Sequence, residues 1–261
     1  MSGLLMDYEE FIKNIKRKTG IDLSLYKEAQ MKRRLTSLYE KRGFSDFGEF
    51  FTGIEKDSNL YNEFLDRITI NVSEFFRNSS RWEVLKKKII PALPIDKKIK
   101  CWSAACSTGE EPYTLAIILK HYFGQLNYEI EATDIDVNVI KRAQEGIYPE
   151  RSMKEISQEL VGKYFRQEKG LFYLADEIKK SITFKKQDLL IDSFAVNFDL
   201  IICRNVIIYF TDEAKQLLYT KFSNALKPGG ILFVGSTEQI FNPSKYNLEA
   251  VDNFFYRKKN E

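Results

Sequence analysis

Two hydrophobic patterns follow one another along the chain. Before about residue 70, apolar side chains recur at the intervals of an amphipathic helix, as in Tyr8, Phe11, Ile12 and Ile15 and in Met31, Leu35, Leu38 and Tyr39. From Lys98 onward, short apolar runs alternate with helical segments. That alternation indicates a parallel sheet with helices on both faces. The pattern therefore predicts an α/β fold, with a small all-helical domain at residues 1–70 and the α/β domain at residues 71–261.

The α/β part divides into candidate strands and the helices between them. The predicted strands are Ile99–Ala104, Tyr128–Thr133, Ile182–Phe184, Phe198–Cys203, Ile231–Gly235 and Phe254–Arg257. The predicted helices are Glu111–Tyr122, Val137–Gln144 and Asp212–Ala225. The run Lys227–Gly230, with a proline followed by two glycines, is typical of a helix stop that leads into the next strand.

One segment, from about residue 153 to 181, does not follow this alternation. Lys163–Gly170 and Leu171–Leu174 have the pattern of a short hairpin that turns at Lys169 and Gly170. Because this hairpin lies between a helix and the next core strand, we expect a small inserted β-subdomain at about residues 156–181.

Composition describes an ordinary globular protein, with 44% apolar and 30% charged residues among 261. No run of about 18 apolar residues exists, so we expect no membrane insertion. The N-terminus has Asp7, Glu9 and Glu10 where a signal peptide needs a basic region and an apolar block, which predicts a cytoplasmic location. The three cysteines lack metal-ligand spacing, so we expect reduced thiols and no metal site.

Basic residues concentrate near the N-terminus. The net charge of +3 is too small to indicate nucleic acid, but ten basic residues oppose three acidic ones between Lys13 and Arg42. Lys32, Arg33 and Arg34 fall mostly away from the apolar stripe of the second helix. The sequence leaves two interpretations open here, a solvated helix face or a docking surface for an acidic partner.

The turn after the first predicted strand carries unusual chemistry. Ligands of such sheets bind beyond the carboxyl ends of the strands. This turn has Gly109, no lysine, and the adjacent carboxylates Glu110 and Glu111. Carboxylates at a helix start repel phosphate, which counts against NAD, FAD and ATP and favours a cationic adenosine ligand such as S-adenosylmethionine. The alternative is that both glutamates only stabilise the first turn of the helix.

Further polar residues follow the other predicted strands. Asp134 ends the second strand where ribose hydroxyls are commonly held, although such aspartates also cap helices. Asp188 and Leu189 follow the third strand, and Arg204 and Asn205 follow the fourth. These residues are the candidates for a ligand site.

Four segments, taken together, resemble the chemotaxis receptor methyltransferases of the CheR type. They are Asn71–Arg77, Ser107–Tyr113, Ala132–Asp136 and Cys203–Phe210, with Leu226–Gly230 after them in the family's order. The resemblance covers essentially the whole chain. It implies a small all-helical domain and a Rossmann-like S-adenosylmethionine methyltransferase domain with an inserted small antiparallel β-subdomain. It also implies a protein-glutamate O-methyltransferase of chemotaxis adaptation, which methylates glutamate side chains on the cytoplasmic helices of bacterial chemoreceptors and leaves S-adenosylhomocysteine.

The resemblance also implies roles for individual residues. The residues matching the family's cofactor site are Asn71, Ser73, Arg77, Glu111, Asp134, Asp188, Leu189, Arg204 and Asn205. Glu111 would meet the methionyl amino group and Asp134 the ribose, while Glu110 keeps a helix-start role. Arg77, near the methionine carboxylate, and Tyr209, near the transferred methyl, are the catalytic candidates. Ser73 stands where the family usually has threonine, which retains the hydroxyl.

Methyl transfer to a carboxylate needs no general base, since a glutamate with a pKa of about 4.3 is already ionised at neutral pH. This agrees with a single histidine, His121, at the far end of its predicted helix. The task of the enzyme is then to align the reacting atoms and to exclude water.

The sequence also bears on partners and on rival functions. Family members that dock on a receptor's C-terminal tether peptide have a longer, glycine-rich loop in the inserted hairpin, whereas Arg166–Gly170 is short. We therefore expect recognition independent of a tether. A nucleic-acid methyltransferase is disfavoured because no strand ends in an N/D-P-P-Y/F motif. A silent S-adenosylmethionine-binding sensor stays open, although Arg77 and Tyr209 count against it.

Overall fold

The computed structural model describes residues 6–69, 73–94 and 96–260. The chain forms two compact units, the first made of Met1–Ile70 and Ile208–Leu217 and the second of Asn71–Ile207 and Leu218–Glu261. The segment Ile208–Leu217 therefore belongs to the first unit, although the sequence pattern assigns it to the α/β domain at residues 71–261.

The helices of the first unit have the apolar stripes that the sequence predicts. They are α1 (Tyr8–Thr19), α2 (Glu28–Lys41), α3 (Phe47–Lys56) and α4 (Ser58–Thr69). Asp7 caps α1 by accepting a hydrogen bond from the N–H of Glu10. Phe11 of α1 stacks on Phe50 of α3 with ring centroids 5.8 Å apart and meets Phe64 of α4 edge-on. These aromatic contacts bury the stripes against one another.

The second unit alternates strands and helices. Its helices are α5 (Ser79–Val84), α6 (Glu110–Tyr122), α7 (Val137–Glu145), α8 (Gln158–Tyr164) and α9 (Asp176–Lys179), and α10 (Asp212–Ala225) enters it from the first unit. Its strands are β1 (Ile99–Ala104), β2 (Tyr128–Asp134), β3 (Ile147–Pro149), β4 (Phe165–Glu168), β5 (Leu171–Leu174), β6 (Ile182–Lys186), β7 (Phe198–Cys203), β8 (Leu226–Val234), β9 (Leu248–Asp252) and β10 (Phe255–Lys258). Short helical turns lie at Leu23–Leu25, Leu85–Ile89, Ile90–Ala92, Glu150–Met153, Ile207–Tyr209 and Pro243–Tyr246.

The main sheet has the order β6-β2-β1-β7-β8-β10-β9. Strands β6, β2, β1, β7 and β8 are parallel, whereas β10 is antiparallel to both β8 and β9. All of β7 is buried, as expected for a strand covered on both faces. The sheet confirms the predicted α/β class and brings the carboxyl ends of β1, β2, β6 and β7 to one edge.

Two details of this sheet differ from the sequence prediction. Strand β8 begins at Leu226 and continues through the predicted stop at Lys227–Gly230, with a register shift against β7 that absorbs the extra residues. Strand β9 was not predicted. It pairs with β10, which the sequence did indicate.

The inserted subdomain contains a three-stranded antiparallel sheet in the order β3-β5-β4. The predicted hairpin is β4–β5, and Lys169 and Gly170 have φ angles of 51° and 77°, as a type I′ turn requires. The sheet starts earlier than predicted, because β3 pairs with β5. A strand of three residues gives no period that a sequence could show.

The three cysteines are free and buried, as predicted. Burial raises the pKa of each thiol above its ordinary value, so these side chains are inert parts of the core. Within the described residues, no helix has the length and apolar character needed to span a membrane.

Candidate active site

The turn between β1 and α6 contains a single glycine, Gly109, directly before the helix. Gly109 has a φ angle of 93°, and a Cβ at this position would lie 2.8 Å from the Cβ of Ala143 and 3.0 Å from the ring of Tyr113. Backbone conformation and packing therefore both require glycine. The turn places Glu110 and Glu111 in the first turn of α6.

Glu111 lies in a polar cluster beside β1. Its Oε1 accepts a hydrogen bond from Ser103 Oγ at 2.9 Å, and its Oε2 lies 3.7 Å from Arg204 Nη1. Burial raises the pKa of Glu111 to about 7, while Arg204 and the Ser103 hydrogen bond oppose that shift and Glu238 adds to it. At neutral pH the carboxylate is thus incompletely compensated, and a further cation would favour its ionised form.

Arg204 connects Glu111 with the segment that carries Arg77. It is only 7% exposed. Its Nη2 donates to the main-chain oxygen of Arg77 at 2.8 Å and to Asn78 Oδ1 at 2.9 Å. The guanidinium carbon also lies 4.9 Å from the ring centroid of Phe233. Desolvation lowers the pKa of Arg204, and Glu111 opposes this. The predicted residues Arg77, Glu111 and Arg204 therefore form one connected group.

Asn205 is fixed by Glu238, a carboxylate that the sequence patterns did not single out. Asn205 has a φ angle of 62°, in the left-handed region. Its N–H and that of Gly235 both donate to Glu238 Oε2 at 2.7 Å. A Cβ at Gly235 would clash with this carboxylate and lie 3.0 Å from the nitrogen of Asn205. Gly235 thus leaves the space in which Glu238, itself 4% exposed, holds the Asn205 backbone.

Replacing Glu238 by alanine is expected to destabilise the protein and to weaken binding of S-adenosylmethionine, the predicted cofactor. The change leaves the buried N–H of Gly235 and the partly buried N–H of Asn205 without this acceptor, and a buried donor left unpaired costs about 1–3 kcal/mol. Glu238→Gln keeps a carbonyl oxygen and should lose less than half as much. Urea unfolding measures the first effect and titration calorimetry the second. Equal losses in the two variants would contradict the assigned role.

Asp134 ends β2 with both carboxylate oxygens in contact with main chain. Ser107 N–H donates to Oδ2 at 2.8 Å, and Asp136 N–H donates to Oδ1 at 3.0 Å. The helix cap is Asp136, which accepts from Asn138 N–H at 2.8 Å. Burial raises the pKa of Asp134 to about 6, and backbone hydrogen bonds from Asp136, Ser107 and Ile135 oppose this. Because a carboxylate has about four lone-pair positions, Asp134 can still accept a hydrogen bond from a hydroxyl.

Asp188 and Leu189, which the resemblance assigns to the adenine, follow β6. The N–H of Gln187 donates to the main-chain oxygen of Asp134 at 2.9 Å, which brings this loop beside the end of β2. Lys221 Nζ, on α10, donates to the main-chain oxygen of Leu189 at 2.7 Å. Lys221 therefore supports the loop from a distant helix, a role for which the sequence holds no local signal.

Glu110, which the sequence assigned only to the first turn of the helix, also makes buried side-chain hydrogen bonds. It is 3% exposed, and its carboxylate accepts hydrogen bonds from Thr108 Oγ1 at 2.6 Å and from Ser152 Oγ at 3.2 Å. The Ser73 hydroxyl also binds it, and burial raises its pKa. Ser73 thus lies beside Glu110, and Ser152 joins the inserted segment to α6.

A cavity of about 940 Å³ opens beside this group. Ser73 and Arg77 line it, together with three further basic residues, Arg142, Arg151 and Lys154, and three acidic residues, Glu74, Glu110 and Glu145. The lining is therefore mixed in charge, with four basic residues against three acidic ones. Arg77 both lines the cavity and takes part in the Arg204–Glu111 group through its main chain.

For two predicted residues the described contacts give no place in this group. Asn71 lies outside the described residues. Tyr209 belongs to the first unit, where the guanidinium carbon of Arg34 lies 4.7 Å from its ring centroid. Both assignments stay predictions. His121, in the last turn of α6, packs against the ring of Tyr164 and has its Nε2 3.3 Å from Glu159 Oε1.

The side chains at the strand ends fit S-adenosylmethionine. Glu111 offers an incompletely compensated carboxylate to an ammonium group, and Asp134 offers an acceptor position to a ribose hydroxyl. Leu189 offers buried apolar surface to a base. These strand ends therefore have acceptors for the positive end and the ribose of the molecule.

Comparisons with known proteins identify the family of the chain. The family described as CheR methyltransferase, SAM binding domain, matches residues 71–255, and the CheR methyltransferase all-alpha domain matches residues 6–69. A chemotaxis protein methyltransferase of Listeria innocua is 48% identical over 254 residues, which cover 97% of each chain. That of Borreliella burgdorferi is 36% identical over 267 residues, covering 97% of this chain and 94% of the relative. Chemotaxis protein methyltransferase 1 of Pseudomonas aeruginosa is 32% identical over 275 residues, covering 99% and 100%.

Proposed function

Because the chain belongs to the CheR methyltransferase family and is an S-adenosylmethionine-dependent methyltransferase, we propose that it methylates glutamate side chains on the cytoplasmic helices of bacterial chemoreceptors. The product is a glutamyl methyl ester, formed in the cytoplasm during chemotaxis adaptation. The observation that carries the proposal is the double position of Arg77. Arg77 lines the cavity, and its main-chain oxygen accepts a hydrogen bond from Arg204, which pairs with Glu111.

The chain's own residues bind and align the reactants. When bound, S-adenosylmethionine supplies a methyl group on a sulfonium, and S-adenosylhomocysteine is left after transfer. Glu111 holds the amino end of the methionyl group and Asp134 the ribose, with Asp188 and Leu189 at the adenine and Asn205 closing the site. Holding the reacting atoms in line supplies several kcal/mol, on the order of 7–11 for ideal alignment.

The acceptor carboxylate is already ionised at neutral pH and needs no general base. The charge of Arg77 attracts it, and the hydroxyl of Tyr209 orients it. Both groups act by fixing the direction of the attacking oxygen, which is the main requirement of a displacement at a methyl carbon. Exclusion of water from the buried cluster around Glu111 protects the reactive cofactor.

The receptor docks on the exposed basic face of α2. The described ion pairs neutralise part of the predicted basic region, since Lys16 pairs with Asp22 and Arg42 with Glu63. Arg33 remains exposed on α2. Receptor methylation regions are helical and rich in Glu and Gln, so this face complements them in charge.

Reversing Arg33 to glutamate is expected to raise the KM for receptor about tenfold at low ionic strength, with kcat unchanged. The difference should fade at high salt, because exposed charges are screened beyond about 10 Å at 0.1 M salt. Methylation rates at two salt concentrations measure this, with Lys97→Glu, an exposed charge of the second unit, as the matched control. An Arg33→Glu effect that persists at high salt, or that Lys97→Glu shares, would count against docking through this face.

Recognition of the receptor is independent of a C-terminal tether peptide. The hairpin that would meet such a peptide turns through only Lys169 and Gly170 between β4 and β5. No nucleic acid takes part.

The proposal is tested with methyl-labelled S-adenosylmethionine and membranes that carry receptors. After incubation with the protein, base treatment should release the label as volatile methanol, because esters hydrolyse in base. Label that stays bound through base would show an N-methyl or ribose-ether product and contradict glutamate methylation. Absence of transferred label would point to a silent cofactor-binding sensor.

A further inference from the structure

The segment around Tyr209 is hydrogen-bonded to the helices of the first unit, called here the helical unit. The N–H of Lys27 donates to the main-chain oxygen of Tyr209, and the N–H of Thr211 donates to the main-chain oxygen of Leu25, each at 2.9 Å. Between these hydrogen bonds, Tyr26 and Phe210 form an isolated antiparallel bridge. The backbone on both sides of Tyr209 is therefore fixed by the connection between α1 and α2.

Side chains strengthen this bridge. The rings of Tyr26 and Phe210 meet edge-on with centroids 5.0 Å apart. Tyr26 is 9% exposed and Phe210 is 3% exposed, so the contact lies in the core of the helical unit. This packing fixes the position of the Tyr209 backbone. The orientation of the Tyr209 ring depends on a further contact.

Arg34 supplies that contact. Its guanidinium carbon lies 4.7 Å from the ring centroid of Tyr209, within the range of cation–π attraction, and both residues are half-buried. The backbone of α2 at this position is also bound, because Arg67 Nε of α4 donates to the main-chain oxygen of Arg34 at 3.2 Å. The neighbouring Arg33 is exposed. Of these two basic residues of α2, Arg33 faces solvent and Arg34 contacts Tyr209.

We propose that Arg34 is a positioning residue, which stacks on the ring of Tyr209 and fixes the direction of its hydroxyl. This inference rests on the proposed function, in which the Tyr209 hydroxyl orients the acceptor carboxylate. A planar guanidinium suits such stacking better than an ammonium, so lysine should replace Arg34 only in part.

The test measures kcat and KM for receptor with Arg34→Met, Arg34→Lys and the matched control Arg33→Met. Arg34→Met is expected to lower kcat about tenfold, as loss of a partly buried cation–π contact predicts, with a smaller change in KM. Arg34→Lys should fall between Arg34→Met and the unchanged chain. Arg33→Met removes the same charge from the same helix and should raise KM without lowering kcat. The S-adenosylmethionine affinity and the Tm of each variant show whether it is folded.

The same substitutions in a Tyr209→Phe background separate positioning from other roles. Phenylalanine keeps the ring but has no hydroxyl to direct, so Arg34→Met should lower kcat no further there. An equal loss of kcat in both backgrounds would overturn the inference, as would an Arg34→Met variant that changes only KM. If Tyr209→Phe slows turnover and Arg34→Met does not, the positioning role alone is wrong. If Tyr209→Phe turns over normally, the catalytic role of Tyr209 is wrong and the inference falls with it.

Discussion

Glu111→Gln is expected to weaken the binding of S-adenosylmethionine about 10- to 100-fold. The charge-assisted hydrogen bond between the ammonium group and a carboxylate contributes about 1.5–3 kcal/mol, and each 1.4 kcal/mol is about a factor of ten. Titration calorimetry of the purified protein measures the change. Glu249→Gln is the matched control, because Glu249 forms an exposed pair with Arg257 and should leave the cofactor affinity close to that of the unchanged chain.

The pH dependence of binding gives this prediction a second readout. Since the pKa of Glu111 is about 7, the cofactor must displace a proton from part of the protein below that pH. We expect the affinity of the unchanged protein to fall towards a limit of about tenfold per pH unit between pH 7 and 5.5, where the carboxyl is increasingly protonated. Glu111→Gln should remove most of this dependence. A variant that keeps the full slope would contradict the role of Glu111.

The same raised pKa affects stability in the opposite direction. A carboxyl whose folded-state pKa is raised favours folding most below its ordinary pKa, and this contribution is lost as the pH rises through about 7. In the cofactor-free protein, Glu111→Gln should therefore raise the free energy of unfolding at pH 8 relative to the unchanged chain, and less so at pH 5. Urea unfolding at the two pH values measures the difference.

Arg204→Met is expected to lower the free energy of unfolding by about 3–5 kcal/mol at pH 8, because it leaves a buried carboxylate without its cation. The loss should be smaller at pH 6, where Glu111 is largely protonated. The variant should also bind cofactor poorly, since Arg204 holds the main chain of Arg77.

Two controls define this effect. Arg257→Met breaks the exposed pair with Glu249 and should cost about 0–1 kcal/mol. The double change Arg204→Met with Glu111→Gln removes both buried charges and should recover part of the lost stability. A loss that is equal at pH 6 and pH 8 and unaffected by Glu111→Gln would show that packing against Phe233, and not the charge of Glu111, sets the cost.

The sequence predicted those features that depend on local pattern. The alternation of strands and helices, the turn at Lys169 and Gly170 and the acidic start of α6 each follow from neighbouring residues. Strand ends of a parallel sheet meet at one edge, so Glu111, Asp134 and Arg204 could be grouped before their distances were known. The start of β8 was wrong because a proline and two glycines can bulge a strand as well as stop a helix.

The missed features arise from contacts between distant segments. Glu238 lies in an irregular stretch, and its role follows only from the left-handed backbone of Asn205. Lys221 supports Leu189 across 32 positions of sequence. The contact of Tyr209 with Arg34 depends on how the chain returns to the helical unit, which periodicity does not encode.

The central claim is most directly tested by tandem mass spectrometry of a purified receptor cytoplasmic fragment after incubation with the protein and S-adenosylmethionine. We predict a single added methyl group on glutamate residues of its helices, removed by mild base. Its formation should be about 5- to 50-fold slower when Glu111→Gln is used at a cofactor concentration near the Kd of the unchanged protein. A methyl group on any other residue type, or an unmodified fragment with a fully cofactor-bound protein, would contradict the account.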